Sequence, residues 1–585
     1  VKLFLERIVE RRMSDPSEVC IRVIDHRSGE DGVRTLTLDQ LVAESQSVAR
    51  RLKGVGVVPK DRVLLCLPNT ERFAEWFLGT LWLDAIPVPL PSLSAFGVKG
   101  MLLERVKGVI LDCKPKAIVG DAATARYLAD AERSTTGYEA LIDADEMWTS
   151  SLDPTAGELP FPDADPNRAA LIQYTSGSTG KPRGVVVTHQ NLAENLCASI
   201  EAVRLTKDDV TISWLPLYHD MGLIGGLLLA LYCGFPTYLM QPLTFMTRPS
   251  AWLRAMSAHR ATLSVAPNFA YSLCARKVRD DELEGIDLSA WRLAFNGAES
   301  VDPATVLEFV DRFSRFGLRK NAMFPVYGLA EATLSVAYPE PGDPIRIDHV
   351  FREGLRPGGQ ARPASAPGPS VAAFVSVGRA LPRHAIEIQD PETGRVLSDR
   401  GVGEIIVRGP SISPYYFHAD RAPPDGREAL RTGDLGYIAD GQLYVVDRIK
   451  DLIIIAGRSY VPSDIERALV GIEGVRMGRV AAFGVRDAES GTEALVVAAE
   501  ARTNLPGTIS EIEAGLRAVL LETFGLTPKD VLLLQPRALP RTSSGKIMRR
   551  TARDMYVEGK LVEKRKHGSA IARLTSAVRR WTTRM

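Results

Sequence analysis

Residues 174–189 read YTSGSTGKPRGVVVTH, and this stretch decides the fold. The apolar run AALIQYTS that leads into it reads as a strand. THQNLAENLCASIEAVRL, which leads out, has helical apolar spacing with Thr188 placed to cap its first turn. Between them, Thr175, Ser176, Ser178 and Thr179 offer hydroxyls. Gly177, Gly180 and Gly184 let the backbone turn tightly, so that amide hydrogens can converge on an anion. Lys181 adds a mobile positive charge, and the set suits a polyphosphate. It is not a Walker loop, because Pro182 follows Lys181 where Ser or Thr is required, and no Gly-x-Gly-x-x-Gly is present. The competing reading, a flexible polar turn, does not account for the hydroxyl–glycine–lysine order.

Strand-like and helix-like runs alternate around this loop. RVLLCLP (62–68) reads as a buried strand, ERFAEWFLGTLWLDA has helical spacing, and IPVPLP and KAIVGD read as further strands. Alternation of this kind predicts a layered α/β architecture. Residues 222–239 are apolar but broken by glycines and Pro236, which predicts a buried helix followed by a strand. Residues 339–369 are rich in Pro and Gly and poor in helix formers, which predicts an exposed or loosely packed insertion. HAIEIQDPETG, VGEIIVRG and GQLYVVDRIKDLIII are β-rich, and the last part of the chain reads as a small α+β module. The predicted organisation is a large N-terminal domain of α/β subdomains plus a β-rich subdomain (1–447), a hinge (448–451), a small mobile α+β C-terminal domain (452–550) and a basic tail (551–585).

At 585 residues the chain is too long for one hydrophobic core. A formal charge of +1 gives no broad field to attract nucleic acid. The six cysteines show no CxxC pair, so they read as buried free thiols in a reducing cytoplasm. The apolar start, VKLFLERIVERRMSD, is interrupted by Glu6 and Arg7 and lacks a secretory core. No transmembrane segment is expected.

Further motifs follow the loop in order: WLPLYHDMGLIGG (214–226), FNGAES (295–300), VYGLAEATL (326–334), RTGDLGYI, DRIKDLIIIAGRSYVPSDIE and LPRTSSGKIMRR. Together they resemble the adenylate-forming superfamily of acyl-CoA synthetases, luciferases and peptide-synthetase adenylation domains, over nearly the whole chain to about residue 550. YHDMGLIGG, APNFAYSLCARKV, YGLAEATL and the insertion look most like the fatty acyl-AMP ligase branch. In that branch the insertion accompanies poor use of coenzyme A, and the acyl group goes to the phosphopantetheine arm of an acyl carrier protein, usually in polyketide or lipopeptide assembly. Two positions depart from the pattern: Arg183 stands where the family usually has Lys, and Gly457–Pro462 reads GRSYVP in place of GRNHYP.

The resemblance implies ATP and Mg2+ as cofactors and a role for each matching residue. Glu331 would hold the magnesium, Tyr327 would stack on adenine, and Gly297, Ala298 and Gly328 would let backbone approach the nucleotide. Asp434 and Arg448 would bind the ribose. Lys546 would act in the first half-reaction, reaching both the attacking carboxylate and the α-phosphate. His219 would sit where the acyl pocket meets the phosphate site. Met221, Gly222, Leu223, Ile224 and Gly225, with Asn268 and Phe269 opposite, would line the acyl tunnel. Lys450 would be the hinge. Each has a plainer reading: a solvated Glu or Lys, a core Tyr or His, an ordinary apolar core.

The tail KLVEKRKHGSAIARLTSAVRRWTTRM places Ile571, Leu574, Val578 and Trp581 at helix-like offsets among arginines. It reads first as a helix packed on its own enzyme or a frayed end, and second as a docking element for an acidic carrier protein or an anionic membrane surface. The alternatives to acyl-AMP ligation with carrier loading are a fatty acyl-CoA ligase and a catalytically silent adenylate-binding protein.

Overall fold

The computed structural model describes residues 1–24, 33–93, 99–130, 138–145, 159–162, 165–175, 182–418, 429–487, 492–502, 509–542 and 546–561. Ser176, Gly177, Ser178, Thr179, Gly180 and Lys181 lie outside that set, as does the tail from residue 562. The chain divides into two units: Val1–Ala366 with Ala373–Ile449, and Pro367–Ala372 with the chain from Lys450 onward.

The first unit holds two largely parallel sheets. In the smaller, Arg62–Cys66 lies between Ile86–Pro89 and Ala117–Gly120, with Ala140–Asp143 at one edge, all parallel. A central strand covered on both faces needs a continuous apolar run, which VLLC supplies. Helix Glu71–Trp82 is buried on almost every side, as its composition demands. The larger sheet runs Met323–Pro325, Leu293–Gly297, Leu263–Pro267, Thr211–Ser213, Thr237–Leu239, Val19–Ile24 and Val33–Thr37, antiparallel only at the last pair. Helix His189–Val203 begins at Thr188, whose hydroxyl accepts the Asn191 N–H at 3.0 Å.

The β-rich part is built on Gly401–Arg408, Leu430–Ala439 and Gln442–Arg448, antiparallel neighbours with Ala385–Gln389 alongside. The insertion is held at a few points. Gly359 and Gln360 pair with Val402 and Gly401. Val350, Leu355 and Ala361 are buried, and Asp348 accepts from Arg400 and the Tyr437 hydroxyl at 2.9 Å each. Most of 339–369 is exposed or half-buried, in keeping with an exposed insertion, and these few apolar residues pin it to the rest of the fold. The cysteine reading needs correction: all six are free, but Cys197 and Cys233 are only half-buried.

The second unit is an α+β module. Val475–Arg486, Glu493–Ala501 and Asp530–Leu534 form its sheet, with helices Pro462–Leu469, Ile509–Phe524 and Arg549–Val557. Arg549 clamps Glu466 with two bonds of 2.7 Å and reaches Asp451 at 3.2 Å, fixing the chain just after Lys546.

Candidate functional site

Strands Ala169–Thr175 and Arg183–Thr188 form an antiparallel hairpin, with Thr175 opposite Arg183 where the glycine-rich loop leaves and returns. Gly184 is required there by close approach. A Cβ on it would lie 2.7 Å from Ile172 Cγ2 and 3.1 Å from both Phe417 Cβ and the Tyr174 ring.

A second backbone run, 413–417, lies along the returning strand. The Phe417 N–H donates to the Gly184 carbonyl at 2.7 Å, and the Val186 N–H donates to the Tyr415 carbonyl at 3.3 Å. The Ser413 hydroxyl donates to the Val186 carbonyl at 2.7 Å, and the Ser413 N–H donates to the Glu331 carbonyl at 2.8 Å. Tyr416 thereby meets two charges. Its hydroxyl donates to Glu331 Oε1 at 2.8 Å, and the Arg183 guanidinium lies 5.7 Å from its ring centroid. Burial and the neighbouring carboxylate push the Tyr416 hydroxyl above its ordinary range, so it keeps its proton and donates.

Glu331 sits on a stiff turn. Tyr327–Gly328 pairs with Ser335–Tyr338, and a Cβ on Gly328 would collide with the Leu334 backbone carbonyl. Thr333 adopts φ +70°, ψ −61°, and the Leu334 N–H donates to the Ala332 carbonyl at 2.9 Å, a γ-turn with a β-branched residue at its centre. Two side-chain anchors hold this conformation. The Thr333 hydroxyl donates to the Ser411 carbonyl at 2.7 Å. Asn195 donates to the Ala332 and Ser335 carbonyls at 3.2 and 2.9 Å and accepts the Ser335 N–H at 3.2 Å. The helix that leaves the phosphate hairpin therefore also braces the Glu331 turn.

At the other end of the same turn, the buried Tyr327 hydroxyl donates to Asp434 Oδ2 at 2.7 Å. Burial and that carboxylate hold the phenol well above its ordinary range. Asp434 faces Arg448 across the β ladder, with Arg448 Nε 3.3 Å from Oδ1. Tyr327, Asp434 and Arg448 thus form one chain of contacts. Gly297 presses on the residue before Tyr327, where a Cβ would sit 2.7 Å from Val326 Cγ2. Ala298 adopts φ +66°.

The apolar side begins at His219, whose Nδ1 lies 2.6 Å from Asp220 Oδ1. Asp220 also caps the following element by accepting the Met221 N–H at 2.7 Å. That element, Met221–Leu228, is a π-helix, fully buried, and the Leu229 N–H continues the pattern by donating to the Ile224 carbonyl. Its glycines let it press on its neighbours: Gly222 against the Pro216 carbonyl, Gly226 against Ser213 Oγ, and Gly225 with Leu334 Cδ2 3.3 Å from where a Cβ would be. Met221, Gly222, Leu223, Ile224 and Gly225 thus share one buried element. Asn268 and Phe269 open helix Asn268–Lys277, where Glu299 accepts the Phe269 N–H at 2.7 Å and Asn268 Oδ1 accepts the Asp302 N–H at 3.2 Å. Phe269 meets Trp214 edge-on at 6.3 Å, and Trp214 stacks on Phe245 at 3.8 Å.

In the second unit, Lys546 closes a short loop: its N–H donates to Thr542 Oγ1 at 3.0 Å and its carbonyl accepts the Thr542 N–H at 2.9 Å. Lys450 is exposed in the 3-10 turn Ile449–Asp451. Sequence reasoning missed Tyr416 and Glu299. The PYYF run at 414–417 belongs to none of the motifs quoted above, and the one available signal was a tyrosine doublet following a polar, proline-rich turn.

Three comparisons bear on this arrangement. A family model described as AMP-binding enzyme matches residues 9–417. The chain is 34% identical over 551 residues to a medium-chain-fatty-acid–[acyl-carrier-protein] ligase of Moorena producens, covering 92% of each. It is 36% identical over 571 residues to a long-chain-fatty-acid–AMP ligase of Mycobacterium marinum, covering 92% of this chain and 95% of that one. Among solved structures, one from work on the fatty acyl-adenylate ligases of E. coli and L. pneumophila superposes with a TM-score of 0.87 at 32% identity, covering 96% of this chain and 98% of that one.

Proposed function

The chain belongs to the AMP-binding enzyme family, and from that premise we propose that it is a fatty acyl-AMP ligase that loads an acyl carrier protein. One observation carries the reading. A single stiff turn, residues 327–331, hydrogen-bonds Asp434 at one end and, at the other, the tyrosine that lies against Arg183 of the phosphate hairpin. That arrangement supports a nucleotide laid along the turn, sugar toward Asp434 and phosphates toward the hairpin.

In the first half-reaction a fatty-acid carboxylate oxygen attacks the α-phosphorus of ATP. The bond to the bridging oxygen of the β-phosphate breaks, pyrophosphate leaves and acyl-AMP remains. Both partners are anionic, so the residues must offset repulsion and align them. In this proposal Arg183 is assigned to the phosphates and Asp434 and Arg448 to the ribose, while Lys181 and Lys546 take from their motifs the roles of meeting the phosphates and the attacking carboxylate. The donor set fits magnesium: Glu331 Oε1 accepts the Tyr416 hydroxyl at 2.8 Å, which leaves its second carboxylate oxygen for a hard cation. A lone Glu331 suits a metal that completes its shell with substrate phosphates and water. When bound, magnesium neutralises charge on the phosphates. In the second half-reaction a thiolate attacks the acyl carbon, AMP leaves, and a thioester forms. Rotation about Lys450 would withdraw Lys546 and open the path for the thiol. The cytoplasm is the expected compartment; no helix among the described residues is long and apolar enough to cross a membrane.

The test is fatty-acid-dependent exchange of labelled pyrophosphate into ATP, followed by thioester formation with a holo-carrier protein and with coenzyme A. Exchange with thioester on the carrier alone supports the proposal. Efficient thioester formation with coenzyme A would move the chain to the acyl-CoA ligases, and no exchange with any fatty acid would end the adenylation reading.

A further inference from the structure

We propose that Tyr416 is a positioning residue of the nucleotide-phosphate site, holding the Glu331 carboxylate through its hydroxyl while its phenol also meets the Arg183 guanidinium. The inference rests on the reading of Glu331 as the carboxylate that meets the metal-bound phosphates.

Glu331 and Arg183 carry opposite charges at the mouth of the same hairpin. Direct pairing would consume both: the guanidinium could no longer face phosphate, nor the carboxylate a cation. In the structure both side chains meet Tyr416, with its hydroxyl 2.8 Å from Glu331 Oε1 and its ring centroid 5.7 Å from the guanidinium. One oxygen of a carboxylate can accept this bond while the other keeps its acceptor capacity, so the hydroxyl orients Glu331 without neutralising it. The planar guanidinium of Arg183 can lie against the ring in a way an ammonium does less well, which gives the departure from Lys at this position a physical use. The backbone is tied on both sides. Phe417 and Tyr415 bond to the hairpin strand, and Ser413 bonds to the Glu331 carbonyl, so the phenol cannot drift from either charge without breaking a ladder.

The experiment is calorimetric ATP binding to the full chain, in magnesium and in EDTA, for the native protein, Tyr416→Phe, Tyr416→His, Glu331→Gln and the Phe/Gln double variant, with a thermal melt on each. The native protein is expected to bind ATP more tightly with magnesium. Tyr416→Phe should lose about ten- to a hundredfold of that gain, the range for a hydrogen bond to a charged group, with the EDTA affinity within about twofold of native. Tyr416→His, which restores a ring donor, should recover part of it, and the double variant should lose no more than Glu331→Gln alone. A full magnesium gain in Tyr416→Phe, alongside its loss in Glu331→Gln, overturns the inference and leaves the Glu331 reading standing. Equal weakening with and without magnesium in Tyr416→Phe marks a merely structural residue and also overturns it. A full gain in Glu331→Gln sinks the Glu331 reading, and the role of Tyr416 with it.

Discussion

Gly328→Ala is a one-carbon change that should disable the enzyme. Gly328 has no need of a left-handed backbone; its constraint is space. A Cβ there would lie 2.9 Å from the Leu334 carbonyl carbon and closer still to its oxygen, about an ångström inside the 3.0 Å that Cβ contacts almost never breach. The obstacle is backbone, and that carbonyl already accepts the Leu329 N–H at 2.9 Å, so no side chain can yield. The turn must shift by roughly the overlap. Overpacking of this kind costs about 1–3 kcal/mol in stability. The larger effect is on alignment, because Tyr327 and Glu331 flank the moved residue, and a misplacement of about 1 Å costs on the order of a hundredfold in rate. The assay is fatty-acid-dependent pyrophosphate exchange, measured as kcat/KM for ATP, with a thermal melt. Gly54→Ala serves as the control, because a Cβ there meets nothing within 4 Å. Exchange in Gly328→Ala within about threefold of native, in a protein that melts normally, would refute the claim that this turn sets the alignment.

Three further outcomes follow from the same structure. Lys546→Ala should lower pyrophosphate exchange by about a hundred- to a thousandfold, the cost of one transition-state charge contact, while thioester formation from supplied acyl-adenylate persists. Lys450→Pro should slow thioester transfer to the carrier more than pyrophosphate exchange; equal loss of both would count against a hinge there. Glu75 is buried, and burial first, then Glu71 and Glu44, pushes its carboxyl up to about 8. A raised acid adds stability that is complete below its unfolded value of 4.5 and is lost as pH climbs to about 8. Urea midpoints should therefore fall between about pH 5 and pH 9 in the native protein and fall less in Glu75→Gln.

Most of the first unit's layering was legible because buried parallel strands and amphipathic or buried helices carry their signals locally. The runs at 62–68, 169–175 and 189–203 declare themselves by apolar density, by length and, at Thr188, by a cap. The pairing inside the insertion was not legible because it depends on Gly359 and Gln360, residues with no strand preference of their own, held by a partner some 40 positions later. The π-helix was equally hidden: MGLIGGLL is apolar on every side, so no periodicity distinguishes a wide helix from an ordinary one. Tyr327, Glu331 and Asp434 could be named from motifs, but their hydrogen bonds to Asp434, Tyr416 and Arg448 join positions up to 107 residues apart. Tyr416 had no motif to announce it. Its meaning lies wholly in which two charges the folded chain brings against it.

The wide helix at 221–228 has a consequence for how this protein can change. Each of its backbone rings closes around one residue more than an α-helical ring does. Dropping a single residue would let the coil tighten and swing everything on one side of the cut by about 100°, presenting a different set of side chains to the same space. Point substitutions trim such a wall; insertions and deletions re-index it. On the expectation that this element lines the acyl tunnel, its lipid preference would be diversified by counting residues as much as by choosing them.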